Sequence, residues 1–387
     1  MKPTSTQDND MTIEGRIKSA AMRLGFSLVG ITSPDRPQTY NTYQQWIDAG
    51  KHASMGYLAT DRNLQRRKDP QAILPGCKSI IVTGTNYLPH DPFASSAEAE
   101  ARIAAYALGD DYHEVIAGRL GQLVSAVEGM VDERVRAKIY TDTGPILERD
   151  LAQRAGLGWI GKNTCLINPR RGSYFLLGEI LIDLPLQPDE PFHADRCGSC
   201  TRCLDACPTR CILPDRTIDA GRCISYLTIE EKGTIEESLR ADLGRWIFGC
   251  DICQQVCPWN RRYAQPSEDP AFQPRESLRI PDLGAFLDLK PGTWLQNLRG
   301  SPMERPRRKG LVRNAAVVAG NSGSSRFIAA LVSLVQQDPE PLVRGHAAWA
   351  LGQIKTPETE AALRAALRSE TEPGVIGEIR NALSSGA

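Results

Sequence analysis

Four cysteines fall inside eleven residues, Cys197-x2-Cys200-x2-Cys203-x3-Cys207, and Pro208 follows them. That spacing limits the fold more than any other feature. Three thiolates set so close wrap one iron–sulfur cube, and the fourth, past a longer step and stiffened by proline, points away to a second. Zinc asks for two pairs of ligands separated by a longer loop. A disulfide framework belongs to small secreted domains that cannot build a core, which a chain of 387 residues does not need. Nine of the eleven cysteines lie between Cys197 and Cys257, leaving only Cys77 and Cys165 outside. The odd total and the crowding favour metal ligation in a reducing compartment.

The run is that of bacterial ferredoxins, whose fourth cysteine serves the other of two [4Fe–4S] clusters. A second run is present but incomplete. Cys250-x2-Cys253-x3-Cys257-Pro258 supplies the last three positions, and Ile247 stands where the first cysteine belongs. Cys223 is the nearest candidate to replace it. The crossover rule then assigns Cys197, Cys200, Cys203 and Cys257 to one cluster and Cys250, Cys253, Cys207 and Cys223 to the other. Cys211 remains over as a small buried thiol. Two adjacent clusters form a one-electron relay, which suits a bare ferredoxin-type carrier or a reductase with its own second cofactor. A carrier has no need of the roughly 190 residues ahead of the clusters, so the enzyme reading is favoured.

Those leading residues alternate helical and strand patterns. Ile13, Ile17, Ala20, Ala21 and Leu24 recur at helical spacing, and strands are expected at Ser27–Ile31, Lys78–Thr85, Ala137–Asp142 and, as one or two, within Ser173–Asp183. Helices are expected over Glu98–Leu108 and His113–Asp132. The fold expected is multidomain α+β, with an α/β domain over 1–185, a ferredoxin-like two-cluster domain over 186–265, a connecting segment over 266–310 and helical repeats over 311–387. Seven prolines in 264–310 make that stretch loops and short helical pieces. In the repeats, Leu311-Val-Arg-Asn-Ala-Ala overlays Leu342-Val-Arg-Gly-His-Ala with Arg313 on Arg344, a period that resembles short HEAT units. Lys+Arg and Asp+Glu are equal at 46, so any nucleic-acid site must be a local patch. The polar stretch Met1–Asp10 lacks the apolar core of a signal peptide, and no apolar run approaches the roughly 20 residues of a membrane span. A cytoplasmic protein without membrane contact is expected.

Two motifs mislead. Gly156-Leu-Gly158-Trp-Ile-Gly161 matches the dinucleotide fingerprint, but here a helical pattern precedes it and a strand follows, the reverse of what presents phosphate to a helix N-terminus. Gly156 reads better as a helix cap. Asp111-Tyr-His113-Glu looks like a metal pair without a second histidine nearby, so a structural or substrate-facing polar trio is the better reading. Asp142, in Tyr140-Thr-Asp-Thr-Gly-Pro145, sits just after a strand, where an Asx-turn is ordinary. It is also the best-placed proton donor, since strand ends in α/β folds face the ligand crevice.

Taken together, Asp142-Thr-Gly-Pro-Ile-Leu-Glu-Arg, Gly158-Trp-Ile-Gly-Lys-Asn-Thr, the first cysteine run, Cys223-Ile-Ser-Tyr-Leu-Thr-Ile-Glu and Gly249-Cys-Asp-Ile-Cys-Gln-Gln-Val-Cys-Pro-Trp-Asn, in this order, resemble the epoxyqueuosine reductases. The resemblance implies an oxidoreductase of queuosine biosynthesis that reduces epoxyqueuosine at the tRNA wobble position, using cobalamin and two [4Fe–4S] clusters. It implies a kinship with the reductive dehalogenases, so a dehalogenase-like corrinoid enzyme on a small substrate is an alternative, as is a plain electron carrier. By similarity Asp142 is the general acid, with a pKa expected to be raised by partial desolvation. Arg67, before Asp-Pro, and Lys162, Asn163, Thr164, Ser225, Asp251 and Ile252 lie in family-like segments close to cobalamin or the clusters.

Arg305, Arg307, Arg308 and Lys309, with Arg299 and Arg313, form the densest basic run and are expected to meet tRNA phosphates, which position an RNA without reading its sequence. The wobble base must be splayed out to reach the corrin. An external electron donor is implied, and a monomer is expected.

Overall fold

The computed structural model describes residues 12–90, 99–296 and 298–384. The polar stretch Met1–Asp10, the first residue of the expected helix at Glu98 and the last three residues lie outside these.

The Thr12 hydroxyl accepts the Gly15 N–H at 3.3 Å and caps the first helix, Ile13–Arg23, whose first turn carries Glu14 where the helix dipole favours an anion. Its buried face is Ile17, Ala20 and Ala21. Four strands then build one sheet in the order Leu28–Thr32, Ser79–Asn86, Phe175–Ile182, Ala137–Tyr140, every pair antiparallel. Ser173–Asp183 therefore holds a single strand, and the mixed layers are helices on an antiparallel sheet.

Side-chain alternation decides what each face meets. Ile81, Ile180 and Ile182 join a core with Ile17 and with Ile116, Leu120 and Leu123 of the long helix Tyr112–Val131. Ile80, Val82 and Leu181 join a second core with Leu151 and Ala152 of the helix Glu148–Arg154. Gly30 is required where this helix ends on the sheet, because a Cβ there would stand 2.1 Å from the Ala155 carbonyl oxygen.

The helix expected over Glu98–Leu108 is not formed in its described part. Arg102–Ile103 instead pairs in parallel with Trp246–Phe248, and a single 3-10 turn follows at Ala105–Ala107. The alanines are there to let chains pass closely: a Cβ on Gly249 would lie 2.5 Å from the Ala104 Cβ. Packing has overridden helix propensity. The same pairing explains the gap in the second cysteine run, since Ile247 is a fully buried residue of the strand Trp246–Phe248.

Between Gln265 and Gly300 the helices are short, Glu276–Arg279 and Leu283–Leu287, as the prolines require. Five longer helices follow: Arg307–Ser322, Ile328–Gln337, Pro341–Ile354, Pro357–Ser369 and Pro373–Ser384. One apolar core unites Ile224, Leu227, Trp246, Ile247 and Phe248 with Leu311, Val312, Ala316, Ala347 and Leu351. The repeats are thus built onto the cysteine segment. Arg313, aligned by sequence with Arg344, is fully buried and donates to the carbonyls of Leu227 (2.7 Å), Glu231 (2.8 Å) and Gly233 (2.7 Å), while Asn314 donates to those of Thr228 and Ile247. Among the described residues no helix is long and apolar enough to cross a membrane.

Candidate active site

A cavity of about 1960 Å³ opens between the sheet layer, the cysteine segment and the loop before the repeats. Small-molecule pockets run from about 300 to 1,000 Å³, so this one has room for a large ring and a nucleoside together.

Asp142 stands at its wall, one residue beyond Thr141 at the end of the strand Ala137–Tyr140. It holds a left-handed backbone, φ 57°, an uncommon conformation for a side-chain-bearing residue that clusters at functional sites. Glu148 fixes it by accepting the Asp142 N–H at 2.7 Å. The carboxylate accepts a hydrogen bond from the Tyr112 hydroxyl at 2.5 Å and faces His113 Nε2 at 3.8 Å. The other ring nitrogen of His113 is 2.7 Å from Asp111, which also caps the helix Tyr112–Val131 by accepting the His113 N–H. Stacking on Tyr112, with centroids 4.0 Å apart, holds the imidazole.

These contacts reverse the pKa direction expected for Asp142. Its side chain is open to the cavity (64% exposed); desolvation there works against its charge, but the His113 imidazole nearby and the hydrogen bond from Tyr112 outweigh it and hold the carboxyl below the usual carboxylate range. For His113, burial disfavours the cation, yet the hydrogen bond to Asp111 and the nearby Asp142 carboxylate overcome it and raise the imidazole to about 9. At neutral pH the proton of this group therefore rests on His113. Behind it, burial followed by the Asp142 charge pushes Glu148 up to about 8. Glu179, opposite Tyr140 in the sheet, is fully buried with no hydrogen-bond partner for either carboxyl oxygen among the described residues, and burial drives it well above the carboxylate range.

Arg67 lines the same cavity, 8% exposed, in no salt bridge among the described residues and with Nη1 unpartnered. Its guanidinium lies 5.4 Å from the Tyr43 ring. Thr164 and Ser225 also line the cavity. Lys162, Asn163, Asp251 and Ile252 do not: Lys162 donates to the carbonyls of Gly198 (2.7 Å) and Cys200 (3.0 Å), and Asp251 accepts the Ala105 N–H at 2.7 Å. Lys162 thus ties to the first cysteine loop, and Asn163 lines the small cavity beside it.

Cys197, Cys200, Cys203 and Cys257 surround one small separate cavity. Cys223 lines the large one. Cys207 lies 3.5 Å from Cys211, and Cys211 in turn contacts Cys223. Cys253 contacts Cys165, a neighbour that spacing did not single out because it arrives from the Gly158–Thr164 loop. Among the described residues no three His, Cys, Asp or Glu side chains converge on the site of a single ion. A cube of four irons asks for no such convergence.

The basic run divides. Arg307 is exposed at the cavity mouth, and Arg305 lines it while bonded to Glu230 at 2.8 and 3.0 Å. Arg308, expected to meet RNA, is instead buried, paired with Asp338 and bonded to the Leu289 carbonyl at 2.6 Å. Arg313 is likewise consumed by backbone carbonyls. Neither can reach a phosphate.

Residues 67–143 match the family model described as epoxyqueuosine reductase QueG, DUF1730, residues 196–260 the 4Fe-4S double cluster binding domain, and residues 306–384 HEAT repeats. The chain is 40% identical over 338 residues to the epoxyqueuosine reductase of Pseudomonas aeruginosa, covering 87% of this chain and 92% of that one. The chain belongs to the epoxyqueuosine reductase family. Against the epoxyqueuosine reductase of Escherichia coli it is 39% identical, covering 87% and 88%. A crystal structure of an epoxyqueuosine reductase with an epoxyqueuosine-modified tRNA stem loop superposes with a TM-score of 0.89 at 29% identity, over 96% of this chain and 98% of that one.

Proposed function

We infer that this chain reduces the epoxide of epoxyqueuosine, in the wobble position of a tRNA, to the alkene of queuosine. One observation beyond family membership carries the reading: the Asp142–His113 proton pair and Cys223, a ligand candidate of the second cluster, face the same large cavity. Removing the epoxide oxygen takes two electrons and two protons and releases water. Clusters deliver electrons singly, and cobalamin, when bound, supplies a strongly reducing cobalt that collects two. A cavity of this size, with a buried and unpartnered Arg67 nitrogen on its wall, suits a corrin carrying amide and phosphate groups.

The residues then divide the work. Asp142, anionic and hydrogen-bonded by Tyr112, positions His113, whose imidazolium holds the proton that the departing oxygen needs. Glu148 keeps Asp142 in its left-handed turn and stores a further proton beside it. Aromatic side chains on the cavity wall, Tyr57 at 49% exposure among them, suit stacking against a flipped-out base. In this reading 1–185 holds the corrin and the acid, 186–265 the clusters, 266–310 connects, and 311–387 supports. One chain acts alone, in the cytoplasm, with an external electron donor.

The proton inventory predicts a pH profile. His113 is charged below about 9, so turnover is expected to hold from neutral pH and fall as pH rises through about 9. Its ion pairs contribute stability that is complete below the ordinary histidine pKa of about 6.5 and is lost over the same alkaline range. Rate against pH for wild type and His113→Gln tests this: the variant should lose the alkaline limb. For RNA, Arg307→Ala and Lys309→Ala should each weaken tRNA binding and reduce its salt slope by about one, whereas Arg308→Ala should lower the melting temperature. The reading as a whole is tested by anaerobic turnover of epoxyqueuosine-containing tRNA with reductant and added cobalamin, scored by the queuosine released on digestion.

A further inference from the structure

The cysteines border two different cavities. Cys223 borders the large cavity that Asp142 lines, while Cys197, Cys200, Cys203 and Cys257 border a small separate one that Asp142 does not line. Three cations, Lys162, Arg196 and Arg202, line that small cavity, and no carboxylate does. Lys162 is spent on the Gly198 and Cys200 carbonyls. Arg196 and Arg202 are exposed and in no salt bridge among the described residues, and the nearby acids are engaged elsewhere, Asp195 with Arg216 and Asp205 with Thr201. Arg196 is held in place, its guanidinium 5.7 Å from the Phe192 ring and 6.0 Å from Trp259, whose indole donates to the Arg196 carbonyl at 3.2 Å. The Trp159 indole donates to Cys197 Sγ at 3.4 Å, so the same aromatic group touches the thiol set.

We propose that this face is where electrons enter, and that Arg196 and Arg202 dock an acidic one-electron carrier protein over the cluster of Cys197, Cys200, Cys203 and Cys257. The proposal rests on the two-cluster reading. Charge complementarity selects the partner: exposed arginines at the cavity of this cluster, in no salt bridge among the described residues, raise the encounter rate of an acidic protein and guide its redox centre to that cluster. The step is a bare electron transfer. The carrier is oxidised by one electron, the cluster is reduced by one, and no bond or proton changes place.

The test uses the holoenzyme with both clusters, a reduced acidic [2Fe–2S] ferredoxin as probe, and stopped-flow bleaching of the cluster absorbance. Binding of oxidised ferredoxin is measured in parallel. The wild-type rate should fall steeply as salt is raised. Arg196→Glu with Arg202→Glu should be slower by about tenfold or more at low salt, lose most of the salt dependence and bind ferredoxin more weakly, while Arg196→Lys with Arg202→Lys keeps the rate. Reduction by methyl viologen radical, a small cation needing no docking, should be unchanged in all. Equal ferredoxin rates and affinities in wild type and the charge-reversed variant overturn the proposal, as does competition by tRNA for the same face. A wild type that incorporates no clusters overturns the two-cluster reading itself, an outcome visible from iron content before ferredoxin is added.

Discussion

Replacing Asp142 with asparagine is expected to slow epoxide reduction by about 10²–10⁴-fold, the range ascribed to a positioned acid or base, because it disables the acid His113 that Asp142 holds. Asparagine is chosen because it tolerates the left-handed backbone that Asp142 adopts and still accepts from the Tyr112 hydroxyl. The loop therefore survives, and what is lost is the negative charge that pairs with His113. Without it the imidazole pKa falls toward its ordinary value and the proton reservoir drains near neutral pH. Single-turnover rates with saturating tRNA, alongside unchanged iron content and corrin uptake, measure this directly. A variant that turns over at the wild-type rate removes Asp142 from the chemistry. Alanine at the same place is the weaker experiment, because it adds backbone strain to the loss of charge.

A larger loss is expected from Cys223→Ala. Two cubes hold about eight irons, four each, and a chain without the fourth thiolate of the inner cube should retain about four. Turnover should drop to background, since the remaining cluster cannot hand electrons on. Cys223 lines the large cavity, so the missing cluster is the one next to the chemistry. The adjacent Cys211→Ala supplies the control and should keep about eight irons. Moving the thiol to the ferredoxin position, with Ile247→Cys added to Cys223→Ala, is not expected to rescue, because residue 247 is locked in a buried strand. Iron assay and EPR of the reduced protein decide among these. Eight irons in Cys223→Ala would send the ligand assignment back to Cys165 or Cys211.

How much of this was readable beforehand depends on distance along the chain. Cysteine spacing is local, so the double-cluster segment could be read from eleven residues, and the missing first cysteine at 247 was visible at once. Why it is missing was not, since that depends on a pairing between residues 102–103 and 246–248, far apart in sequence. Alanine-rich 99–108 mimicked a helix for the same reason: its small side chains answer to a neighbouring chain. The motif around Asp142 contained Glu148, but nothing in it showed that Tyr112 and His113, some thirty residues earlier, would set the carboxyl's charge. Desolvation alone suggested a raised pKa, and the histidine reversed it. Arg308 and Arg313 looked like a solvated basic face because a charge run does not say which of its members point inward. Each is consumed by an internal acid or by carbonyls.

Arg313 and Asn314 tie five backbone carbonyls of the cysteine segment to the first repeat helix, across a continuous apolar core. Heat or denaturant that frays this helix must also release the chain around Cys223 and Cys250. The inner metal centre and the C-terminal repeats are therefore expected to melt in one cooperative transition, so that loss of the repeats takes the redox wiring with it.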